Sequence, residues 1–320
     1  MKARITAVEY FLPESILSNA LIAHEFPDWT VADISNKTGI ADRHVAAPQE
    51  CSSDLGVEAA RRLFASRVCE PSDIDFLLFC TQSPDYFLPT TACLVQERLS
   101  IPTTAGALDF NLGCSGFVYG IGLAKGLIET GQCRRVLLIT AETYTKFIAR
   151  DDRSTRTIFG DGAAATLIDG EDSEKEFILS PVYGTDGRGA RSLIVERGGM
   201  RCPGAPVLRM LGPDVFAFTI RRVPVLVEET LRRASLKLSD IDLFIFHQAN
   251  RYMMDHLRKK ISIPEDKFFV FLETCGNTVS STIPIALHEA AKADRLRRGD
   301  TVLVVGFGVG YSWSASVLRW

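Results

Sequence analysis

The sequence has little net charge and no cysteine or histidine pattern typical of a metal site. It has 36 lysines and arginines against 39 aspartates and glutamates, a formal charge of −3. That balance provides no general attraction to nucleic acid or to an anionic membrane. The eight cysteines are scattered without a CxxC pair, and only five histidines are present. We therefore expect no bound metal and no nucleic-acid partner.

Long hydrophobic runs are also scarce. The first residues, MKARITAVEYFLPES, lack the apolar stretch of a signal peptide, so we expect a reducing cytoplasm and free thiols. The longest uncharged run, Thr301–Leu318, reaches the length of a membrane helix but contains three glycines and three serines. Its second part alternates between apolar residues and serine. This alternation predicts a strand after a glycine turn and no membrane span.

An internal repeat organises the 320 residues. The octapeptide SDIDFLLF at Ser72–Phe79 returns as SDIDLFIF at Ser239–Phe246. Each copy follows a helical pattern and precedes an apolar helix and a second buried strand, and the second strands keep nearly the same separation. The repeat therefore predicts a duplicated α/β unit.

The repeated strands are short, continuous apolar runs, which is typical of strands buried on both faces of a sheet covered by helices. With 46% hydrophobic residues, the chain can form a large core. We predict an α/β fold of two related halves, 1–172 and 173–320, packed as α/β/α/β/α layers. The charged run Glu171–Glu176 is the predicted linker.

Cys114 lies in the segment LDFNLGCSG, directly before an apolar helical pattern. Free amide groups and the positive end of the helix dipole at a helix start would lower the pKa of this thiol and make it a nucleophile. A small buried core thiol is an equally good interpretation of Cys114 taken alone.

Two polar residues occupy corresponding places in the second half. His247 ends the repeated strand, where side chains commonly line a ligand crevice, although a satisfied core histidine also fits. Asn277 follows a strand predicted to end at Glu273 and precedes a predicted helix, so local evidence favours a helix cap. A pseudo-twofold arrangement of the halves would bring Cys114 together with His247 and Asn277.

Several motifs in order resemble the thiolase-fold condensing enzymes, and within them the 3-oxoacyl-acyl carrier protein synthase III family. They are TGIADRH from Thr38, PTTAC from Pro89, DFNLGCSGF from Asp109, AET from Ala141, FGDGAAA from Phe159, FHQAN from Phe246, CGNT from Cys275 and GFGVGYSW from Gly306. Thiolases use a second cysteine, chain-elongating synthases a second histidine and HMG-CoA synthases a glutamate. The Cys–His–Asn set is similar to the initiating type.

The resemblance implies a decarboxylative Claisen condensation. Cys114 would hold an acyl primer from acyl-CoA or an acyl carrier protein as a thioester, with the backbone amides of Cys114 and Val309 as the oxyanion hole. His247 and Asn277 would stabilise the enolate formed when malonyl-carrier loses CO2, giving a 3-oxoacyl carrier. The implied substrates are CoA and phosphopantetheine thioesters, with no bound cofactor or metal.

Further contacts follow from the same resemblance. Asn250 and Phe307 match positions along the pantetheine arm, and Phe159 matches an acyl-pocket wall. Leu88 matches a residue that closes the acyl pocket of the partner across a homodimer interface, so a homodimer is implied.

The positions that bind the nucleotide end of coenzyme A in the family match this sequence less well. Arg153 corresponds to an arginine that clamps the adenine, and Lys37 replaces a usual arginine nearby. Asp33 stands at the expected tryptophan position, which Trp29 fills only if the loop shifts, and Pro213 replaces a frequent asparagine. These departures leave the primer, its carrier and the pathway, primary or specialised, open.

A local basic cluster on a predicted helix resembles the carrier-protein docking surface of the family. It consists of Arg251, Arg258, Lys259 and Lys260. Its charge suits an acidic carrier helix, although on the residues alone a solvated helix face is the preferred interpretation.

Other functions fit the sequence less well. The same Cys114 and His247 could pass the acyl group to a hydroxyl or amine, with His247 as general base. A phosphate loop at GFGVG fails because the third glycine would fall at Tyr311 and a strand pattern follows. A noncatalytic partner subunit need not retain all three matched residues.

Overall fold

The computed structural model describes residues 1–320. Numbered in chain order, the strands are β1 Lys2–Phe11, β2 Ser15–Ser18, β3 Asp42–Val45, β4 Phe76–Cys80, β5 Gly106–Phe110, β6 Arg135–Glu142, β7 Gly162–Glu171, β8 Val182–Thr185, β9 Leu193–Val195, β10 Leu208–Met210, β11 Leu243–Phe246, β12 Phe268–Phe269, β13 Thr301–Gly308 and β14 Ser312–Arg319. The α-helices are α1 Asn19–Glu25, α2 Val31–Thr38, α3 Ser52–Ala65, α4 Thr91–Arg98, α5 Gly116–Glu129, α6 Arg153–Arg156, α7 Gly212–Arg233, α8 Arg251–Ile261 and α9 Thr282–Lys292.

Two five-stranded sheets have the same topology. Their strand orders are β1-β7-β6-β4-β5 and β8-β14-β13-β11-β12. The register repeats as well, because Phe76 pairs with Val136 in the first sheet and Leu243 pairs with Val302 in the second. The predicted duplicated α/β fold is confirmed. The strands of the first sheet end by Glu171 and those of the second begin at Val182, while a domain boundary after residue 172 stays a prediction.

The helices form three layers around the two sheets. Helices α5 and α9 lie between the sheets in one buried cluster, which joins Ile121 and Ala286 to Leu138 and Val304. Helices α3 and α4 cover the outer face of the first sheet, and α7 and α8 cover that of the second. The central layer therefore brings α5 and α9, and the turns that precede them, into one place.

The uncharged run near the C-terminus forms the antiparallel hairpin of β13 and β14. Ala315 and Val317 of β14 pack in the outer core with α7, as the alternation predicts. None of the helices combines the length and apolar character that crossing a membrane requires.

One predicted strand is shorter than expected. Strand β12 ends at Phe269 and not at Glu273, because the Phe271 N–H donates to the Gln248 side-chain oxygen at 2.8 Å and the chain leaves the sheet. After Asn277, a 3₁₀ turn at Val279–Ser281 precedes α9. Asn277 is therefore not the N-cap of α9.

Candidate active site

Cys114 lies in the turn between β5 and α5, two residues before the helix begins, and is only 5% exposed. Strand β13 passes directly over it. A Cβ atom built on Gly308 would lie 2.8 Å from Cys114 Cβ and 2.9 Å from Sγ. Only glycine at position 308 allows this approach of strand to thiol.

His247 and Asn277 line the same cavity as Cys114, with a volume of about 310 Å³. His247 follows β11 and is 2% exposed, and Asn277 is 3% exposed. Their polar atoms His247 Nε2 and Asn277 Nδ2 are 3.5 Å apart. The structure thus brings together one residue from the first half and two from the second, as the duplication predicts.

His247 is held from two sides. Its Nδ1 lies 2.8 Å from Thr282 Oγ1, and its ring meets that of Phe307 edge-on at 5.5 Å between centroids. Complete burial lowers the pKa of His247 to about 3, because desolvation penalises the imidazolium. The imidazole is therefore neutral at physiological pH.

Asn277 is fixed by its backbone and by its amide. Its N–H donates to Ile158 O at 2.9 Å, and its carbonyl accepts from Gly160 N–H at 3.1 Å. Asn277 Oδ1 accepts from Val279 N–H at 2.9 Å, which leaves Nδ2 facing His247. Val279 has a φ of 56°, a conformation that costs a β-branched residue about 1–3 kcal/mol. In this conformation the Val279 N–H holds the orientation of the Asn277 amide.

The predicted lowering of the Cys114 pKa is wrong. Burial raises the pKa of this thiol to about 12, and the carboxyl of Glu142 adds to the rise. The backbone N–H groups of Cys114 and Val309 act in the opposite direction, and these are the two amides predicted as oxyanion donors. Desolvation outweighs the helix start here, so the resting site holds a thiol.

We expect Gly308→Ala to slow acylation of Cys114 by about 10- to 100-fold, because the new methyl group would displace the sulfur by a fraction of its radius. Intact-protein mass spectrometry of single-turnover acylation measures this. Gly126→Ala in α5 is the control, since no atom lies within 4 Å of the added Cβ. It should leave acylation unchanged and raise the free energy of unfolding by about 0.5–1 kcal/mol. Equal acylation rates in both variants would contradict the close approach.

Glu142, at the end of β6 and in the AET motif, is a buried acid to which the sequence analysis assigned no role. Its carboxylate accepts from Gln82 N–H at 3.1 Å, from Ser83 Oγ at 2.9 Å and from Ser280 Oγ at 3.1 Å. It thus ties the first sheet to the turn that carries Asn277. Burial nevertheless raises the pKa of Glu142 to about 8.

This pKa predicts a pH-dependent stability. Above the ordinary glutamate pKa of about 4.3 the unfolded chain has lost the proton that folded Glu142 keeps until about pH 8. Unfolding therefore releases a proton, and stability falls as pH rises, by up to about 1.4 kcal/mol per pH unit. His247 has the opposite effect: because its folded pKa is lowered, it makes stability rise with pH. This rise ends near the ordinary histidine pKa of about 6.5.

Between pH 6.5 and 8 we expect the wild type to lose about 1–2 kcal/mol of unfolding free energy. Glu142→Gln should abolish this slope, and Glu97→Gln, at an exposed position on α4, should retain it. Urea denaturation at the two pH values measures the difference. Parallel slopes for wild type and Glu142→Gln would contradict the assignment.

Residues that the resemblance assigns to the pantetheine arm and the acyl pocket lie beside Cys114. Phe159, Asn250 and Phe307 line the cavity of Cys114, as does Pro213. A second cavity of about 790 Å³ is lined by other side chains, among them Tyr144, which packs in one buried cluster with Cys114. The Tyr144 hydroxyl donates to Gln82 Oε1 at 2.8 Å.

The remaining predicted substrate residues are not among those that line these two cavities. Lys37 Nζ sits 4.9 Å above the Trp29 ring, and the Arg153 guanidinium pairs with Asp28 at 3.5 Å. Asp33 forms a capping box with Thr30 at the start of α2, which explains an acid at that position. Leu88 is 82% exposed.

Comparisons with known proteins identify the family of this chain. The family model "3-Oxoacyl-[acyl-carrier-protein (ACP)] synthase III" matches residues 108–187, and its C-terminal counterpart matches residues 231–320. The β-ketoacyl-[acyl-carrier-protein] synthase III of Caldanaerobacter subterraneus subsp. tengcongensis is 37% identical, over 99% of this chain and 98% of its own length. The Clostridioides difficile protein of that name is 38% identical, over 100% and 98%.

The chain belongs to the 3-oxoacyl-[acyl-carrier-protein] synthase III family. A 2.1 Å crystal structure of a 3-oxoacyl-(acyl-carrier-protein) synthase III is 48% identical and superimposes with a TM-score of 0.99 over the full length of both chains. The two segments matched by the synthase III family models include Cys114, His247 and Asn277.

Proposed function

We propose that this synthase III family member condenses an acyl primer with malonyl-acyl carrier protein, releasing CO2 and forming a 3-oxoacyl carrier. The observation that supports it is the convergence of a buried thiol with two nitrogen groups, His247 Nε2 and Asn277 Nδ2, in one narrow cavity. We propose that the reaction needs no bound metal or redox cofactor, because the electrons of every step balance between two thioesters.

In the first step, Cys114 sulfur attacks the thioester carbonyl of the primer. A carbon–sulfur bond forms, the bond to the departing thiol breaks, and the thiol proton of Cys114 passes to that leaving group. The backbone N–H groups of Cys114 and Val309, which lie close enough to the Cys114 sulfur to lower its pKa, would donate to the oxyanion. The acyl-enzyme that results frees the cavity for a second thioester.

In the second step, malonyl-carrier loses CO2 and leaves an enolate. A neutral imidazole N–H and an amide NH2 are suited to its oxygen, because both donate without adding negative charge. The enolate carbon attacks the acyl-enzyme, a carbon–carbon bond forms, and the bond to Cys114 sulfur breaks. The thiolate of Cys114 then takes up a proton from solvent, which replaces the one that left with the first thiol.

The carrier protein would dock at the mouth of this cavity. Asn250, which lines the cavity, is also the N-cap of α8. The basic residues of that helix follow, with Arg251, Lys259 and Lys260 exposed and Arg258 paired with Glu265 at 3.2 Å. An acidic carrier helix fits this face, and its phosphopantetheine arm would enter beside Asn250.

A homodimer is part of the proposal. Tyr86, Phe87 and Leu88 are consecutive and are 62%, 76% and 82% exposed. Such an apolar loop is typical of a protein interface. Tyr86 and Phe87 also line the second cavity beside Tyr144, so a partner docking here would close that cavity. The cytoplasm remains our proposed location.

Incubation of the purified protein with acyl-CoA and malonyl-carrier tests the function. We expect CO2 release in equal amount to a carrier product two carbons longer than the primer. Transfer of the acyl group to an added alcohol or amine without CO2 release would support the alternative acyltransferase. A panel of acyl-CoAs and acyl carriers in the same assay identifies the primer.

A further inference from the structure

The role of His247 depends on which of its ring nitrogens carries the proton. A neutral imidazole has one N–H, and the other nitrogen is an acceptor. An Nε2–H faces the cavity as a donor to an enolate, whereas a bare Nε2 would serve as a general base. The group that contacts Nδ1 decides between the two forms.

That group is the hydroxyl of Thr282, which is the first residue of α9. Thr282 is 3% exposed, and its Oγ1 lies 2.8 Å from His247 Nδ1 and 3.1 Å from Val279 O. The hydroxyl has one hydrogen and can donate to only one of these acceptors. Val279 O can only accept the hydroxyl proton, whereas the shorter contact, to the ring, admits either direction of donation. If the hydroxyl donates there, Nδ1 is an acceptor and the ring proton lies on Nε2.

We propose that Thr282 is a positioning residue that donates to His247 Nδ1, holds the proton on Nε2 and thereby commits His247 to stabilising the enolate. This inference rests on the proposed condensation and adds a residue to it. Thr282 acts through His247 and does not itself contact the reacting atoms.

The neighbourhood of the ring makes Thr282 necessary. Asn277 Nδ2 lies 3.5 Å from Nε2 and also donates to Ala249 O at 3.4 Å. The orientation of the amide is fixed because Val279 N–H can donate only to Oδ1. An amide N–H next to Nε2 favours the form in which Nε2 is a bare acceptor. Without the Thr282 hydroxyl, Asn277 would draw the proton to Nδ1.

One short segment therefore determines how both the Asn277 amide and the His247 imidazole present an N–H to the cavity. In residues 277–282, the Val279 amide orients the carboxamide of Asn277 and the Thr282 hydroxyl selects the tautomer of His247. Two N–H donors brought within 3.5 Å of each other repel until an anionic oxygen lies between them. The site is thus prepared for the enolate before substrate arrives.

Replacing Thr282 by valine keeps the shape of the side chain and removes the hydroxyl. We expect single-turnover acylation of Cys114 to stay within about threefold of wild type, and CO2 release from malonyl-carrier to fall by about 10- to 100-fold, because one oxyanion donor is lost in part of the molecules. Thr282→Ser, which restores the hydroxyl, should return CO2 release to within about threefold of wild type.

Thr278→Val is the matched control. Thr278 lies in the same segment and is fully buried, and its hydroxyl has no hydrogen-bond partner. Removing that hydroxyl therefore breaks no hydrogen bond, and both steps should proceed as in the wild type.

Nitrogen-15 NMR of histidine-labelled protein reads the tautomer directly, with the His247 signals assigned by their loss in His247→Ala. We expect the Nε2–H form in wild type and Thr282→Ser, and a shift toward Nδ1–H in Thr282→Val. An Nδ1–H wild type, an unimpaired Thr282→Val, a failure of Thr282→Ser to rescue or an equal loss of both steps would overturn the inference. No CO2 release by the wild type would instead refute the proposed function.

Discussion

Cys114→Ala is expected to form no acyl adduct and to lower condensation by about 10⁴-fold or more, because no other group in the cavity can form the thioester intermediate. The mass of the intact protein after exposure to a panel of acyl-CoAs and acyl carriers measures the adduct. Alanine fits the site, since the side chain it replaces is only one atom larger and packs against Gly308.

Cys69→Ala is the control for this variant. Cys69 is also a buried thiol, 6% exposed, but it packs in the outer layer with α3 and α4. Cys69 should accept no acyl group, so the Cys69→Ala variant should gain the same mass on acylation as the wild type. An adduct that persists in Cys114→Ala would refute Cys114 as the nucleophile.

Asn277→Asp is expected to reduce CO2 release by about 10³-fold while acylation of Cys114 proceeds. The carboxylate keeps the shape of the amide but replaces a donor by a negative charge, in a buried site where the repulsion of an enolate is strong. Asn277→Ala removes the donor and adds no charge, so its loss should be smaller, about 10²-fold. Carbon dioxide release from labelled malonyl-carrier measures both.

The relative activities of Asn277→Asp and Asn277→Ala show whether residue 277 faces a developing anion. If Asn277→Asp were as active as Asn277→Ala, no anion would develop beside residue 277. If both acylation and CO2 release fell equally, Asn277 would support the fold of the turn rather than the enolate. Its backbone pairing with Ile158 and Gly160 is unchanged by either substitution, so the turn is expected to persist.

The fold could be predicted from the sequence because its main feature is a repetition. SDIDFLLF and SDIDLFIF form β4 and β11, and each pairs in parallel with the next repeated strand in the same register. Two equal halves with buried parallel strands have few ways to pack, which is why Cys114, His247 and Asn277 could be expected in one cavity.

Properties that depend on burial and on side-chain hydrogen bonds could not be predicted. The helix start indicated a low pKa for Cys114, but complete desolvation decides the direction. Thr282 carries no local signal, since a threonine at a helix start is ordinary, and the AET motif that contains Glu142 does not by itself indicate what the glutamate contacts. Their importance arises from contacts to His247 and Ser280, distant in sequence.

The most direct test is a crystal structure of the Cys114 acyl-enzyme with a malonyl thioester analogue that cannot lose CO2. The account predicts the thioester oxygen of the analogue within about 3.2 Å of both His247 Nε2 and Asn277 Nδ2, with the acyl group bonded to Cys114 sulfur. A thioester oxygen bound away from these two nitrogens, with His247 contacting a hydroxyl or amine acceptor, would contradict it.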